Sequence, residues 1–319
     1  MKKTIIVVIL CLCTSRGLSE ETIPKFLLGP PGIDNGRLLR ELVEQPEAWE
    51  KLREKTDGIH YACQNITRHF PTDDEQKELF TRLQEIKMPL HLEVGAVKPW
   101  GPTAEQTFRA QKPQIDRYLR LGADIRGIAM DEPLNCCRND LAKDMEYAAE
   151  QTADFVARVR AEYPDFIIGD IEGFPSLTAD EVIQWIDLVQ AKIAERGVRK
   201  LDFFRIDTDW MHFVQNTGRG SWKDMKRVEN HCRKIGLPFS VIYWSAGLPA
   251  TERRGLTGDD TWFVGTMHMA YAYAAVDGKP DQIIVQSWVN APARAVPETD
   301  PFTLTGTAKH VVEKLIKDN

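Results

Sequence analysis

Phe166-Ile167-Ile168-Gly169-Asp170-Ile171-Glu172 is a short apolar run that ends in acids, and Leu201-Asp202-Phe203-Phe204-Arg205-Ile206-Asp207-Thr208-Asp209 is another. Between them Thr178-Ala179-Asp180-Glu181 opens an amphipathic stretch, a hydroxyl cap answered three residues on by a glutamate. Gly197 closes that stretch, where glycine accepts the left-handed turn cheaply. Strand, crossover helix and strand form the repeating unit of a parallel α/β fold. Working outward, the same unit recurs in both directions. Candidate strands cover 26–32, 58–65, 90–97, 125–132, 166–172, 201–209, 239–245 and 282–290. Helical patterns lie between them. In 141–163, Met145, Ala149, Thr152, Val156 and Val159 recur at helical steps. Thr103 to Gln106 repeats the capping box, and Gly122 and Gly236 repeat the closing glycine. Eight such units predict a single (β/α)8 barrel over 20–319, with no linker long enough to divide it. An open doubly wound sheet is the competitor, but no G-x-G-x-x-G follows the first strand.

The 319 residues are 43% hydrophobic and 28% charged, an ordinary globular balance that excludes disorder and fibrous repeats. The net charge of −6 leaves no basic excess for phosphate neutralisation, so nucleic acid is not an expected partner. Lys2 and Lys3 precede an apolar run from Thr4 to Cys13 and a small, polar exit. That is the pattern of a secretory signal over 1–19, too short to span a bilayer. The expected mature chain is secreted or periplasmic, and more acidic once Lys2, Lys3 and Arg16 are gone. It keeps Cys63, Cys136, Cys137 and Cys232, which lack metal-ligand spacing. Their pairing is left open, with Cys136 and Cys137 expected in a loop.

In such a barrel the active site lies at the carboxyl ends of the strands. Strand three carries His91 and Glu93 and runs on to Trp100. Strand four ends in Asp131-Glu132-Pro133, strand five in Asp170 and Glu172, and strand six in Asp207 and Asp209. The period of two places Asp170 with Glu172 on one face, and Arg205, Asp207 and Asp209 on another. Both faces are expected to look into the mouth. A helix cap is the ordinary role for an acid after a strand, but it explains paired acids on consecutive strands poorly. Trp100, Trp210, Trp244 and Trp288 also fall at strand ends, beside Tyr243, Gln286 and Asn290. Indoles among acids and amides suit sugar rings, which have an apolar C–H face and polar edges. A lone tryptophan is more often core. No G-x-S-x-G, H-E-x-x-H or P-loop occurs, and His60, His91 and His268 read as satisfied core or surface residues.

Asp131-Glu132-Pro133 resembles the Asn-Glu-Pro ending that carries the acid/base glutamate of many barrel glycoside hydrolases. With Glu93-Val94-Gly95, Ile171 to Pro175, Asp207 to Trp210 and Gln286 to Trp288, the mature chain resembles secreted bacterial hydrolase-like barrels of unassigned activity. The resemblance implies a hydrolase acting on a poly- or oligosaccharide by two carboxylates, without cofactor or metal. Two departures stand out. Asp131 replaces the asparagine, and strand seven has Tyr243 and Trp244 where those enzymes place a nucleophilic glutamate. Glu132 is then the expected proton donor, and Asp207 the nucleophile or base, held ionised by Arg205. Glu172 is expected to orient water or a hydroxyl. Glu93, Trp100, Asp131, Asp170, Asp209, Trp210, Tyr243, Trp244, Gln286, Trp288 and Asn290 are the expected substrate contacts. The alternatives are a non-catalytic carbohydrate-binding barrel and a divalent-metal sugar isomerase or epimerase using Glu93, Asp131, Glu172 and Asp207.

Overall fold

A computed structural model describes residues 25–215, 218–249 and 251–315. The leader expected at 1–19 lies outside the described residues. Eight parallel strands close into a barrel in sequence order: β1 Phe26–Gly29, β2 Gly58–Ala62, β3 Leu90–Val94, β4 Ile125–Asp131, β5 Ile167–Gly173, β6 Phe203–Asp209, β7 Phe239–Trp244 and β8 Gln282–Gln286. Every strand falls within one residue of an expected start, save β6, which starts two residues late. The outer ends differ more. β1 stops at Gly29 because Pro30 and Pro31 have no N–H for the ladder, and its partner β8 stops opposite it at Gln286. β2 stops at Ala62 because a helix, Cys63–His69, begins there.

The alternation of side chains separates two cores. Leu27, Ala129, Ile167, Ile171, Phe203, Ile242 and Ile284 come from strands alone and fill the barrel. Phe26, Leu28, Leu92, Ile128, Ile168, Phe204, Ile206, Val241 and Val285 point the other way and pack with the helices. Gly169 belongs to the inner set because a Cβ there would lie 2.0 Å from the Phe203 ring.

The helices begin where the sequence marks them. Capping boxes form at Thr103 with Gln106 and at Thr178 with Glu181. Gly122, Gly197 and Gly236 take positive φ values of 96°, 68° and 70°. The helix expected over 141–163 is Met145–Glu162, because Asp144 accepts from the Tyr147 N–H and caps it. The four cysteines among the described residues, Cys63, Cys136, Cys137 and Cys232, are free and buried. Cys136 and Cys137 lie in the helix Pro133–Asn139, not in a loop, since Pro133 pre-sets its first turn.

Candidate active site at the barrel mouth

β6 behaves as its period requires. Arg205, Asp207 and Asp209 follow Phe203 on the inner face. Arg205 is fully enclosed, donating to Ser240 Oγ (3.1 Å), His60 Nε2 (3.0 Å) and Gln282 Oε1 (2.6 Å). Since the guanidinium must donate, His60 accepts at Nε2 and donates from Nδ1 to Gln286 Oε1 at 3.0 Å. Burial and the Arg205 charge keep His60 neutral, well below its usual range. Gln286 is therefore committed to this floor of the barrel rather than to a ligand, and His60 is the satisfied core histidine expected.

Asp207 stands above that floor and accepts from Trp244 Nε1 at 2.6 Å. Its carboxyl is pushed up to about 7, by burial first and then by the charges of Glu132, Asp131 and Asp209. Arg205 does not hold it ionised as the sequence suggested. Burial drives Arg205 itself down to about 9, and its donors are spent on Ser240, His60 and Gln282. Asp209 shares the inner face but caps backbone: it accepts from Met211, His212 and Ala246 N–H groups.

β4 delivers Asp131 and Glu132. Asp131 follows Ala129 on the inner face and is paired with Lys98, whose ammonium also donates to Cys136 Sγ at 3.2 Å. Burial pulls the Lys98 ammonium down, but the Asp131 and Cys136 charges outweigh it. Glu132 takes a left-handed backbone, φ 45° and ψ 53°, uncommon for a side chain of this size. That turn swings its carboxylate over Gly173, where a Cβ would sit 2.7 Å from Oε1. Asn135 Nδ2 donates to its Oε2 at 2.6 Å. Burial, then the Asp131 charge, raise the Glu132 carboxyl above its ordinary value.

β5 contradicts the sequence reading. Asp170 and Glu172 do share a face, but with Ile168 it is the outer one, while Ile167 and Ile171 fill the barrel. Asp170 accepts from Trp185 Nε1 at 2.7 Å in the helix Ala179–Glu195. Glu172 accepts from the Leu134 and Asn135 N–H groups at 2.6 and 3.2 Å, capping Pro133–Asn139. Both are buried and neither points to the mouth. The four-oxygen metal set that included Glu172 is therefore not assembled. Replacing Glu172 by Ala should leave one buried and one part-buried N–H group without partners and cost about 1–3 kcal/mol of stability, read by urea unfolding. Unchanged stability with lost turnover would return Glu172 to the reaction.

The aromatic expectations divide. Tyr243 is fully buried on the outer face of β7, in the strand–helix core, and is no substrate contact. Trp244 is inward and half-buried beside Asp207. Trp210 is half-buried against the helix Gly258–Ala275, its Nε1 donating to His268 Nδ1 at 2.5 Å. Trp288 is half-buried and Asn290 exposed beyond β8. Trp100 is 58% exposed. A tight turn pairs Lys98 with Gly101 and folds the indole over Gly95, where a Cβ would meet it at 2.9 Å. Glu93 and His91 lie inward on β3, opposite in sense to Leu90, Leu92 and Val94. Burial first, then Asp131 and Asp207, push Glu93 well above the carboxylate range. Lys98 and Asn135 escaped the sequence reading. Lys98 carried the better signal, lying between Glu93 and Trp100 in a stretch already marked.

No protein family model matches the chain. A stretch of 128 residues, 39% of the chain, is 27% identical to the trigger factor of Halalkalibacterium halodurans and spans 30% of that protein. Among solved structures, a thermostable mutant of a Cellvibrio japonicus xylanase superposes with a TM-score of 0.53 at 13% identity, covering 92% of this chain and 98% of that one. Xylanase 10B of Thermotoga maritima gives 0.53 at 13% identity, over 91% and 94%. At such identities the likeness is one of fold, the barrel architecture that these enzymes share with this chain.

Proposed function

We propose that the mouth hydrolyses a glycosidic bond in a poly- or oligosaccharide, with Glu132 as proton donor and Asp207 as nucleophile or base. The observation that carries this reading is the placing of these two carboxyls: Glu132 Oε1 lies over Gly173, and Gly173 pairs with Asp207 across β5 and β6. Glu132 is the neighbouring charge that raises Asp207 most, and both lie at the carboxyl ends of inward-looking strands. Two carboxyls that resist ionising together settle with one proton between them, which equips the pair for acid and base roles at neutral pH. Trp244 supports the assignment by donating to Asp207, which favours its ionised form, while Asn135 is the donor facing Glu132. Trp100 at the rim offers an indole face to a sugar ring. The leader expected from the sequence at 1–19 fits an exported enzyme meeting such a substrate outside the cytoplasm.

The test is turnover of a panel of aryl glycosides of both anomeric configurations by the purified protein. Hydrolysis of at least one is expected, and its loss in a Glu132→Gln, Asp207→Asn double variant. Oligosaccharide binding without any turnover would replace this reading by a non-catalytic carbohydrate-binding barrel.

A further inference from the structure

We infer that the cavity beside the mouth takes a sugar ring carrying a protonated amine, with Glu93 as the carboxylate that meets it. This rests on the carbohydrate reading above and names its substrate class. The cavity, of about 370 Å³, lies between the end of β3 and the helix Ala104–Arg120, bounded by Gln64, Glu93, Lys98, Trp100, Gln114 and Asp131. Glu93 is 6% exposed, and its Oε2 has no hydrogen-bond partner among the described residues. A buried polar atom left without a partner calls for an explanation, and a ligand atom supplies one. The neighbours are already engaged: Lys98 with Asp131 and Cys136, Gln111 with both polar groups of the Gly95 backbone.

Charge balance favours a cation over a neutral hydroxyl. Five carboxyl groups, Glu93, Asp131, Glu132, Asp207 and Asp209, are linked by charge around two cations, Lys98 and Arg205. The other titratable groups on the inner faces of β2 and β3, His60 and His91, are held neutral, burial pushing His91 down to about 3. Burial first, and then the charges of Asp131 and Asp207, keep the proton on Glu93 in the free protein. An ammonium within reach lets Glu93 ionise. Its proton passes to solvent, and a charge-assisted hydrogen bond replaces the unpartnered oxygen. Trp100 at the rim adds an indole face that attracts both the C–H side of a sugar and a cation.

The experiment is calorimetric titration of the unaltered protein, below neutral pH, with a glucosamine tetramer, its N-acetylated form and cellotetraose. Buffers of different ionisation enthalpy report the proton. The amine-bearing tetramer is expected to bind about tenfold or more tightly than the other two, with release of close to one proton. Glu93→Gln should abolish that preference. Should that variant fail to fold, the proton release still decides, and Trp100→Ala at the exposed rim should lose affinity without losing thermal stability. Equal affinity for all three sugars, or heats independent of buffer, overturns the inference. If aryl glycosides are still hydrolysed in that case, the glycosidase reading survives it. If no sugar binds and none is turned over, both fall.

Discussion

Asp207→Ala should lower kcat/KM for an activated aryl glycoside by roughly 10³–10⁵-fold, and added azide should restore turnover with a glycosyl azide as product. The small anion enters the space left by the carboxylate and attacks where the carboxylate or its activated water would have acted. Asp209→Ala and Glu172→Ala should show no such rescue. Asp209 is occupied by three backbone N–H groups, and Glu172 lies on the outer face of β5. Rescue in either of those, and not in Asp207→Ala, assigns the role elsewhere. Full activity in Asp207→Ala ends the two-carboxylate mechanism.

The raised carboxyl of Asp207 also sets two pH dependences. As nucleophile or base it works only when ionised, so kcat/KM should rise with pH through about 7. For stability the direction is opposite. The folded protein keeps this proton up to about 7, whereas an unfolded chain releases it near an ordinary carboxylate value. The stability that Asp207 contributes is therefore fully present below that ordinary value and is lost as pH rises through about 7. Asp207→Asn should melt higher than wild type at mildly alkaline pH, by on the order of 1–3 kcal/mol, and about equally in acid. A variant less stable than wild type at both pH values would show that the carboxylate is held by partners rather than strained by burial.

Glu132→Gln should separate substrates by leaving group. Glycosides with poor leaving groups need the proton and should slow by roughly 10²–10⁴-fold, while dinitrophenyl glycosides should slow far less. Oligosaccharide binding should persist. The amide keeps the length of the side chain and, like the acid, can accept from Asn135 Nδ2 in the left-handed turn over Gly173. Equal losses for good and poor leaving groups would remove Glu132 as the proton donor and make it a residue that shapes the mouth.

Much of this architecture was legible in local sequence. Capping boxes, closing glycines and short apolar runs are decided by neighbours a few residues apart, so all eight strands could be read without the fold. The same locality identified the faces: Asp170 belongs with Glu172, and Arg205 with Asp207 and Asp209. Which face turns inward is not a local property. Strands of a parallel barrel are buried on both sides, so hydrophobicity does not distinguish the inside from the helix layer. Closure decided it. Phe203 fills the barrel beside β5 and leaves room only for Gly169 there, which sends Asp170 and Glu172 outward to Trp185 and a helix N-terminus. The contacts that define the mouth, Lys98 with Asp131 and Trp244 with Asp207, join residues on different strands and their extensions. Strand pairing and closure bring those side chains together, and no pattern along the chain encodes their approach.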